Sequence, residues 1–252
     1  MADAYERWLV PTVFRPFAED LAARVATRSP ERILEVGAGT GVLTAALAAA
    51  TSAAITATDF NEAMVEVGRS VTRGITWQQA DAMALPFGPA TFDVVTGAFT
   101  VMFFPDRRLA FAEARRCLDA DGAFVFNTWA ALDAHDFQAA VSAALHAFFP
   151  DDTPTFMESV PHCYFETDVV RADLEAAGFA LTAALPITLL SPPVVAEDIA
   201  RGYCIGTPVR AEIDSRGAPL EAVVAAVTDA IHARLGADPV VGSMTAMLFA
   251  AT

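Results

Sequence analysis

Apolar and polar positions along the chain predict alternating strands and helices. The run Arg32-Ile33-Leu34-Glu35-Val36 enters a glycine cluster at residues 37–41, and an alanine-rich helix follows to about residue 50. Residues 54–58 are β-prone and end at Asp59, while residues 61–71 carry the apolar spacing of a second helix. Residues 75–79 and 92–97 predict a third and a fourth strand, separated by a loop containing Pro86 and Pro89. A helix over 109–118, a turn at Asp121-Gly122 and a fifth strand over 123–128, with Trp129 at its end, complete the series. Such alternation predicts an α/β fold with a doubly wound, mostly parallel sheet.

The flanking segments differ in character. An amphipathic opening carries Trp8, Leu9 and Phe14, and Pro16 begins a helix with Leu21, Ala22 and Val25 at helical spacing, ended by Ser29-Pro30. Beyond the fifth strand, helical patterns near 137–148 and 168–177 precede a long apolar strand over 179–190. From 191 to 239 the chain is punctuated by Pro192-Pro193 and Thr207-Pro208, with helices near 195–203 and 220–235. Residues 243–251 are short and apolar enough to return to the sheet as a final strand. With 252 residues, one substantial core is expected. The organisation read from this pattern is a single domain over 1–252. It has an N-terminal helical cap segment at 1–29, a binding core at 30–130 and a helical cap insertion at 191–239 between the last two strands.

Charge narrows the partners. Thirty-one acidic residues against 16 basic ones give a formal net charge of −15, which repels polyanions and predicts no nucleic-acid and no anionic-membrane partner. Every basic residue is arginine, so Schiff-base chemistry is excluded. Cys117, Cys163 and Cys204 form no CxxC pair, which predicts no metal site and a reduced, cytoplasmic protein. The opening residues lack a signal core, and no apolar run reaches the roughly 18 residues of a membrane span. A homodimer is left open.

The glycine turn brings backbone close to a ligand and aims helix N–H groups at it. A dinucleotide fingerprint fails, because Val42 stands where a third glycine belongs and that glycine comes one residue early, at Gly41. Glu35 adds a negative charge that opposes a pyrophosphate and suits an ammonium group. Asp59, 22 residues beyond Gly37, stands where a carboxylate can accept from both hydroxyls of a ribose. Asp81 at the end of the third strand can accept from an adenine amino group, with Met83 and Phe60 as soft, flat contacts to the ring. An adenosine without phosphates is the economical ligand. Each acid alone also reads as a helix or turn cap, and Met64, Met83 and Phe99, counted here as cofactor contacts, also read as core.

The segment ILEVGAGTG at 33–41 resembles the S-adenosylmethionine (SAM)-binding loop of class I methyltransferases. TDFNEAM at 58–64, QADAMALPF at 79–87, FDVVTGAF at 92–99 and CLDADGAFVF at 117–126 resemble that family's later segments, in order, and are most similar to its UbiE-like (type 11) small-molecule subgroup. A surface turn departs from the family, reading DADG at 119–122 where RPGG is usual. The resemblance implies a seven-stranded Rossmann-like sheet whose last strand is antiparallel. It places Glu35, Gly37, Ala38, Gly39 and Gly41 toward the methionine moiety, Asp59 toward the ribose, and Asp81, Ala82 and Met83 toward adenine. Ala98 and Phe99 would line the cofactor pocket, and Tyr5 would close over it.

The implied function is methyl transfer from SAM to O, N or C of a small molecule such as a natural product or other secondary metabolite, with S-adenosylhomocysteine as product. A SAM-binding non-methylating enzyme of the cyclase kind and a non-catalytic scaffold stay open as alternatives. Trp8, Phe14, Phe103, Trp129, His162 and Tyr203 are the candidate acceptor contacts, with helix packing as the alternative role of each aromatic. None of the four histidines sits in a catalytic spacing, so no catalytic residue is nominated; His162 comes nearest, in a loop after the fifth strand.

Overall fold

The computed structural model describes residues 2–252. Its strands are β1 (Arg32–Val36), β2 (Ala54–Asp59), β3 (Thr76–Gln79), β4 (Phe92–Ala98), β5 (Leu118–Trp129), β6 (Leu181–Leu190) and β7 (Ser243–Ala251). They form one sheet in the order β3-β2-β1-β4-β5-β7-β6. β1 to β5 pair in parallel, and β7 runs antiparallel to β5. The strand order reverses between β1 and β4, so the loops leaving their carboxyl ends part there and open a crevice.

Sequence explains the central strands directly. Every residue of β1 after Arg32 is buried, as expected of a parallel strand covered on both faces. Helix Glu62–Val71 starts because the Asn61 side chain accepts from the Ala63 amide, one of the donors that a helix N-terminus leaves without an intrahelical partner.

Packing divides the chain into two compact units. The sheet unit comprises Phe17–Trp129, Tyr164–Ile187 and Ala246–Thr252. One side of its core joins Leu21 and Val25 to Ile33, Leu43, Leu47, Ile55, Val94, Val125 and Leu248. On helix Arg107–Cys117, Phe111 meets Phe124 and Phe126, and Phe126 meets Phe249. The helical unit comprises the chain up to Pro16, Ala130–Cys163 and Thr188–Thr245. Its helices include Tyr5–Phe14, Asp136–Phe148, Ala196–Gly206, Val209–Ser215 and Leu220–Leu235, and its core holds Leu9, Phe137, Val141, Ile199, Val227 and Ile231.

These units differ from the segments 1–29 and 191–239 read from sequence. Leu21, Ala22 and Val25 complete the apolar cluster around β1, so residues 17–29 count with the sheet, while residues 130–163 count with the helices. Helical structure begins well before Pro16: Tyr5–Phe14 is a π-type segment with Pro11 inside it, and the Arg15 amide reaches back to the Val10 carbonyl. The widened turn accommodates a proline that lacks the N–H a regular helix would use. Helices Phe156–Ser159 and Val209–Ser215 are additions to the sequence reading.

Cys117 and Cys204 are buried, Cys163 is exposed, and all three are free thiols. Among the described residues no helix is long and apolar enough to cross a membrane, and no cluster of His, Cys, Asp and Glu could hold a metal ion.

Candidate functional site

The carboxyl ends of β1, β2, β3 and β4 carry the predicted cofactor residues. Parallel pairing sets Val36 beside Thr58 and Asp59 beside Gln79, so the glycine loop, Asp59 and the Asp81 turn follow from adjacent strands. The Ala38 amide donates to the Thr58 carbonyl at 2.8 Å, and the Gly39 amide donates to Asp59 Oδ2 at 2.8 Å. Asp59 Oδ1 accepts from the Asn61 amide at 2.9 Å. Asp59 is therefore not the cap of the following helix, a role that Asn61 takes. A carboxylate has about four lone-pair directions, so two remain for a ligand's hydroxyls.

The glycine loop needs glycine for two different reasons. Gly37 has φ +62°, and a Cβ there would lie 1.9 Å from Thr100 Oγ1, so the loop is pressed against the segment after β4. Gly39 also has positive φ, but a Cβ there would meet nothing within 4 Å. The backbone at Gly39 thus faces open space, and its loop is a cradle that side chains leave unfilled.

Glu35, 1% exposed at the end of β1, is the one charged residue in the buried, apolar part of that strand. Thr44 Oγ1 donates to its Oε2 at 2.6 Å, and Thr58 Oγ1 donates to its main-chain carbonyl at 2.9 Å. Burial pushes the Glu35 carboxyl up to about 8; the Thr44 bond opposes that shift and the Asp59 charge adds to it. A cation brought to this end of the sheet would favour the ionised form.

Asp81 Oδ1 accepts from the Met83 amide at 2.9 Å, which folds Asp81, Ala82 and Met83 into a tight turn. The turn-capping bond leaves the second carboxylate oxygen of Asp81 unused in that bond. Phe60 is 72% exposed beside Asp59, with its carbonyl held by Gln79 Nε2 at 2.9 Å. Ala98 ends β4, and Phe99 follows with φ +52°, a strained left-handed conformation for a bulky residue. Asn127 holds it there: the Phe99 amide donates to the Asn127 carbonyl and to Oδ1, at 3.2 and 3.0 Å. The Phe99 ring stacks on Trp129 with centroids 3.7 Å apart, and Phe17 meets both rings edge-on. Met64 is half-buried on helix Glu62–Val71.

The candidate acceptor residues fall into separate groups. Trp129 belongs to the Phe17–Phe99 stack, and Phe103 lies half-exposed in the turn Val101–Phe103 after β4. Within the helical unit Tyr5 packs on Phe14, with centroids 4.8 Å apart, while Arg7 lies over the Trp8 ring. Tyr203 is buried, 5% exposed, on Ala196–Gly206. His162 is buried, with Nδ1 on the Ala130 carbonyl at 2.9 Å and its ring 4.7 Å from that of His135. Burial pulls His162 down to about 4 and His135 to about 3, the latter helped by the neighbouring His162. Both imidazoles are therefore neutral and weakly basic.

Sequence reading passed over Thr44 and Asn127. Each had a legible signal: Thr44 follows the glycine turn by three residues, and Asn127 interrupts the apolar run of β5.

Residues 34–126 match a family described as a methyltransferase domain. Malonyl-[acyl-carrier protein] O-methyltransferase of Geobacter sulfurreducens is 38% identical over 156 residues, 60% of this chain and 56% of that protein. The ubiquinone/menaquinone biosynthesis C-methyltransferase UbiE of Saccharophagus degradans is 26% identical over 187 residues, 68% of this chain and 74% of that protein. The chain spans about half the length of the first of these relatives. Among solved structures, the [4+2]-cyclase SpnF superposes with a TM-score of 0.56 and 19% identity, covering 93% of this chain and 80% of that one. The segment matched in sequence contains the glycine loop, Asp59, Asp81 and Phe99, and the strand order around it is the one expected of a class I sheet. Residues 34–126 therefore match a methyltransferase domain, and the sheet they belong to has the strand order of the class I, Rossmann-like fold.

Proposed function

We propose that this protein binds SAM at the carboxyl ends of β1 to β4 and transfers its methyl group to a small molecule, releasing S-adenosylhomocysteine. The observation that carries the reading is the coupling of Gly39 to Asp59: a cradle of open backbone is fastened to a carboxylate that keeps lone pairs for a ribose. Glu35, buried behind the same loop, suits a cationic ligand and opposes a phosphate. Asp81, Ala82 and Met83 would hold adenine with Phe60 and Met64 beside it, and Ala98 and Phe99 would border the methionine end.

SAM supplies an electrophilic methyl on its sulfonium when bound. The work left to the protein is to align an acceptor O, N or C nucleophile and to exclude water. Neutral, weakly basic His135 and His162 fit a mechanism without strong base assistance. Trp8, Phe14, Phe103, Trp129, His162 and Tyr203 are the candidate acceptor contacts, and Tyr5 counts as a cofactor contact. A net charge of −15 favours a small molecule over nucleic acid and over an anionic membrane, and the free thiols accord with a cytoplasmic setting.

Calorimetry with SAM and S-adenosylhomocysteine, on this protein and on Asp59→Ala, tests the reading. Binding that is lost in the variant supports it. No binding to the intact protein sinks it in favour of a scaffold, and substrate conversion with SAM left intact would favour a cyclase-like enzyme.

A further inference from the structure

Trp77 reaches from the edge of the sheet to the glycine loop. It lies on the edge strand β3, 7% exposed, and parallel pairing sets it beside Ala57, two residues before Asp59. With Ala38, Ala57 and Val65 it forms one apolar cluster, against which Ile75 packs. The Arg69 guanidinium, on helix Glu62–Val71, donates to the Trp77 carbonyl at 3.3 Å.

Two glycines make room for the same edge of the indole. A Cβ at Gly41 would lie 3.0 Å from both Cη2 and Cζ2 of Trp77, and a Cβ at Gly68 would overlap Cη2 and lie 2.6 Å from Cζ2. Gly41 ends the loop with φ +99° and is the residue from which helix Val42–Ala50 starts. Gly68 lies inside helix Glu62–Val71, where glycine is weaker than alanine, so space and not conformation calls for it. The ring edge is thus a spacer between that helix and the loop. The Gly41 amide donates to the Ala38 carbonyl at 3.0 Å, so support at Gly41 passes directly to the stretch that carries the Gly39 amide. At the other end of the loop, Gly37 is pressed against Thr100. Gly39 faces open space between these two supports, with its amide on Asp59.

We propose that Trp77 is a positioning residue of the cofactor site, whose indole holds Gly41 in place and thereby keeps the Gly39 amide aimed at Asp59. As a part in cofactor binding, the role rests on the SAM-binding reading; the hold on the loop needs no ligand. A close-packed interior transmits the displacement of one ring to whatever is pressed against it, so a change on the far side of the indole, at Gly68, reaches the loop.

Gly68→Ala and Trp77→Phe, made singly and together in the full chain, test this. SAM binding is read by calorimetry, and exchange of the Gly39 amide without ligand is read by NMR against the Phe126 amide in β5. Gly68→Ala pushes the indole toward Gly41, and Trp77→Phe withdraws the ring edge from it. Each is expected to weaken SAM binding at least fivefold per folded molecule and to speed Gly39 exchange at least fivefold relative to Phe126. A phenylalanine ring lacks the outer atoms that the new methyl would strike, so Gly68→Ala is expected to add less than twofold in the Trp77→Phe background. Thermal melts give the folded fraction, and if Trp77→Phe fails to fold, Gly68→Ala decides alone. A ring that only fills core would lower stability and leave affinity and the exchange ratio unchanged, and that result overturns the proposal. An equal effect of Gly68→Ala in both backgrounds overturns it as well. An intact protein that does not bind SAM overturns the methyltransferase reading instead, and Gly39 exchange in the variants still decides whether Trp77 holds the loop.

Discussion

The Gly39 amide donates to Asp59 Oδ2 at 2.8 Å, fastening the loop after β1 to the end of β2. One carboxylate therefore shapes the glycine loop and presents its remaining lone pairs outward. Asp59→Asn keeps the volume but offers a single acceptor oxygen, so it should weaken SAM binding at least tenfold in calorimetry. The loss of stability should stay at about 1–2 kcal/mol, the scale of a charge-assisted hydrogen bond. Unchanged affinity in the variant would remove Asp59 from the site.

Glu35 links cofactor binding to pH. Its carboxyl titrates at about 8 in the fold against 4.5 as a free group, so the folded state holds the extra proton between those values. Stability from this residue is present below pH 4.5 and declines as pH rises through 8. Glu35→Gln should therefore gain stability relative to the native protein between about pH 5 and 8.5 in thermal melts. A cationic ligand near Glu35 should also expel its proton. Calorimetry of SAM at about pH 7 in buffers of different ionisation heat should register proton release that Glu35→Gln abolishes. A buffer-independent heat in the native protein would contradict this.

The buried histidines act in the opposite direction. His162 at about 4 and His135 at about 3 lie below their unfolded value of 6.5, so the unfolded state binds more protons between. Stability should fall as pH drops below about 6.5, because the unfolded chain then takes up protons that the folded one refuses. Each step of one pH between the folded and unfolded values contributes about 1.4 kcal/mol, so His162 alone accounts for on the order of 3 kcal/mol by about pH 4. His162→Gln should flatten that acid limb in urea unfolding. An acid limb as steep as the native one would show that other groups set it.

Gly37 tests how tightly the β1 loop is held. Gly37→Ala places a methyl 1.9 Å from Thr100 Oγ1 at φ +62°. We expect a loss of about 2–4 kcal/mol in denaturant unfolding, combining overpacking and backbone strain. Gly37→Ala with Thr100→Gly should recover the steric part but not the strain. Full recovery would show that φ costs nothing there.

Trp129 supports the strained Phe99. Trp129→Ala removes the face on which Phe99 stacks, and an aromatic truncation of this kind costs about 3–5 kcal/mol. The Phe99 backbone then depends on Asn127, without the ring stack to back it. SAM affinity should fall along with stability, while Phe111→Ala, remote in the same sheet unit, should lower stability without a comparable loss of affinity after correction for the unfolded fraction. Equal effects on affinity would deny Trp129 a part in the site.

Much of the cofactor half was legible in the chain itself. Period-two and continuous apolar runs punctuated by Gly37, Asp59, Asp81 and Ala98 locate strand ends, because parallel strands buried on both faces leave only their termini for polar chemistry. Local rules also located the helices over 220–235 and 136–148, since an apolar stripe of that length has one regular solution. Tertiary structure alone decided which groups meet. Neither Thr44 on Glu35 nor Asn127 on Phe99 follows from sequence spacing, as the latter pair is 28 residues apart and is joined only by strand pairing. The π-type turn at Pro11 and the division into units likewise depend on which apolar faces find one another. Sequence determined where polar groups stand along the strands; burial, a property of the assembled chain, determined the protonation of Glu35, His135 and His162.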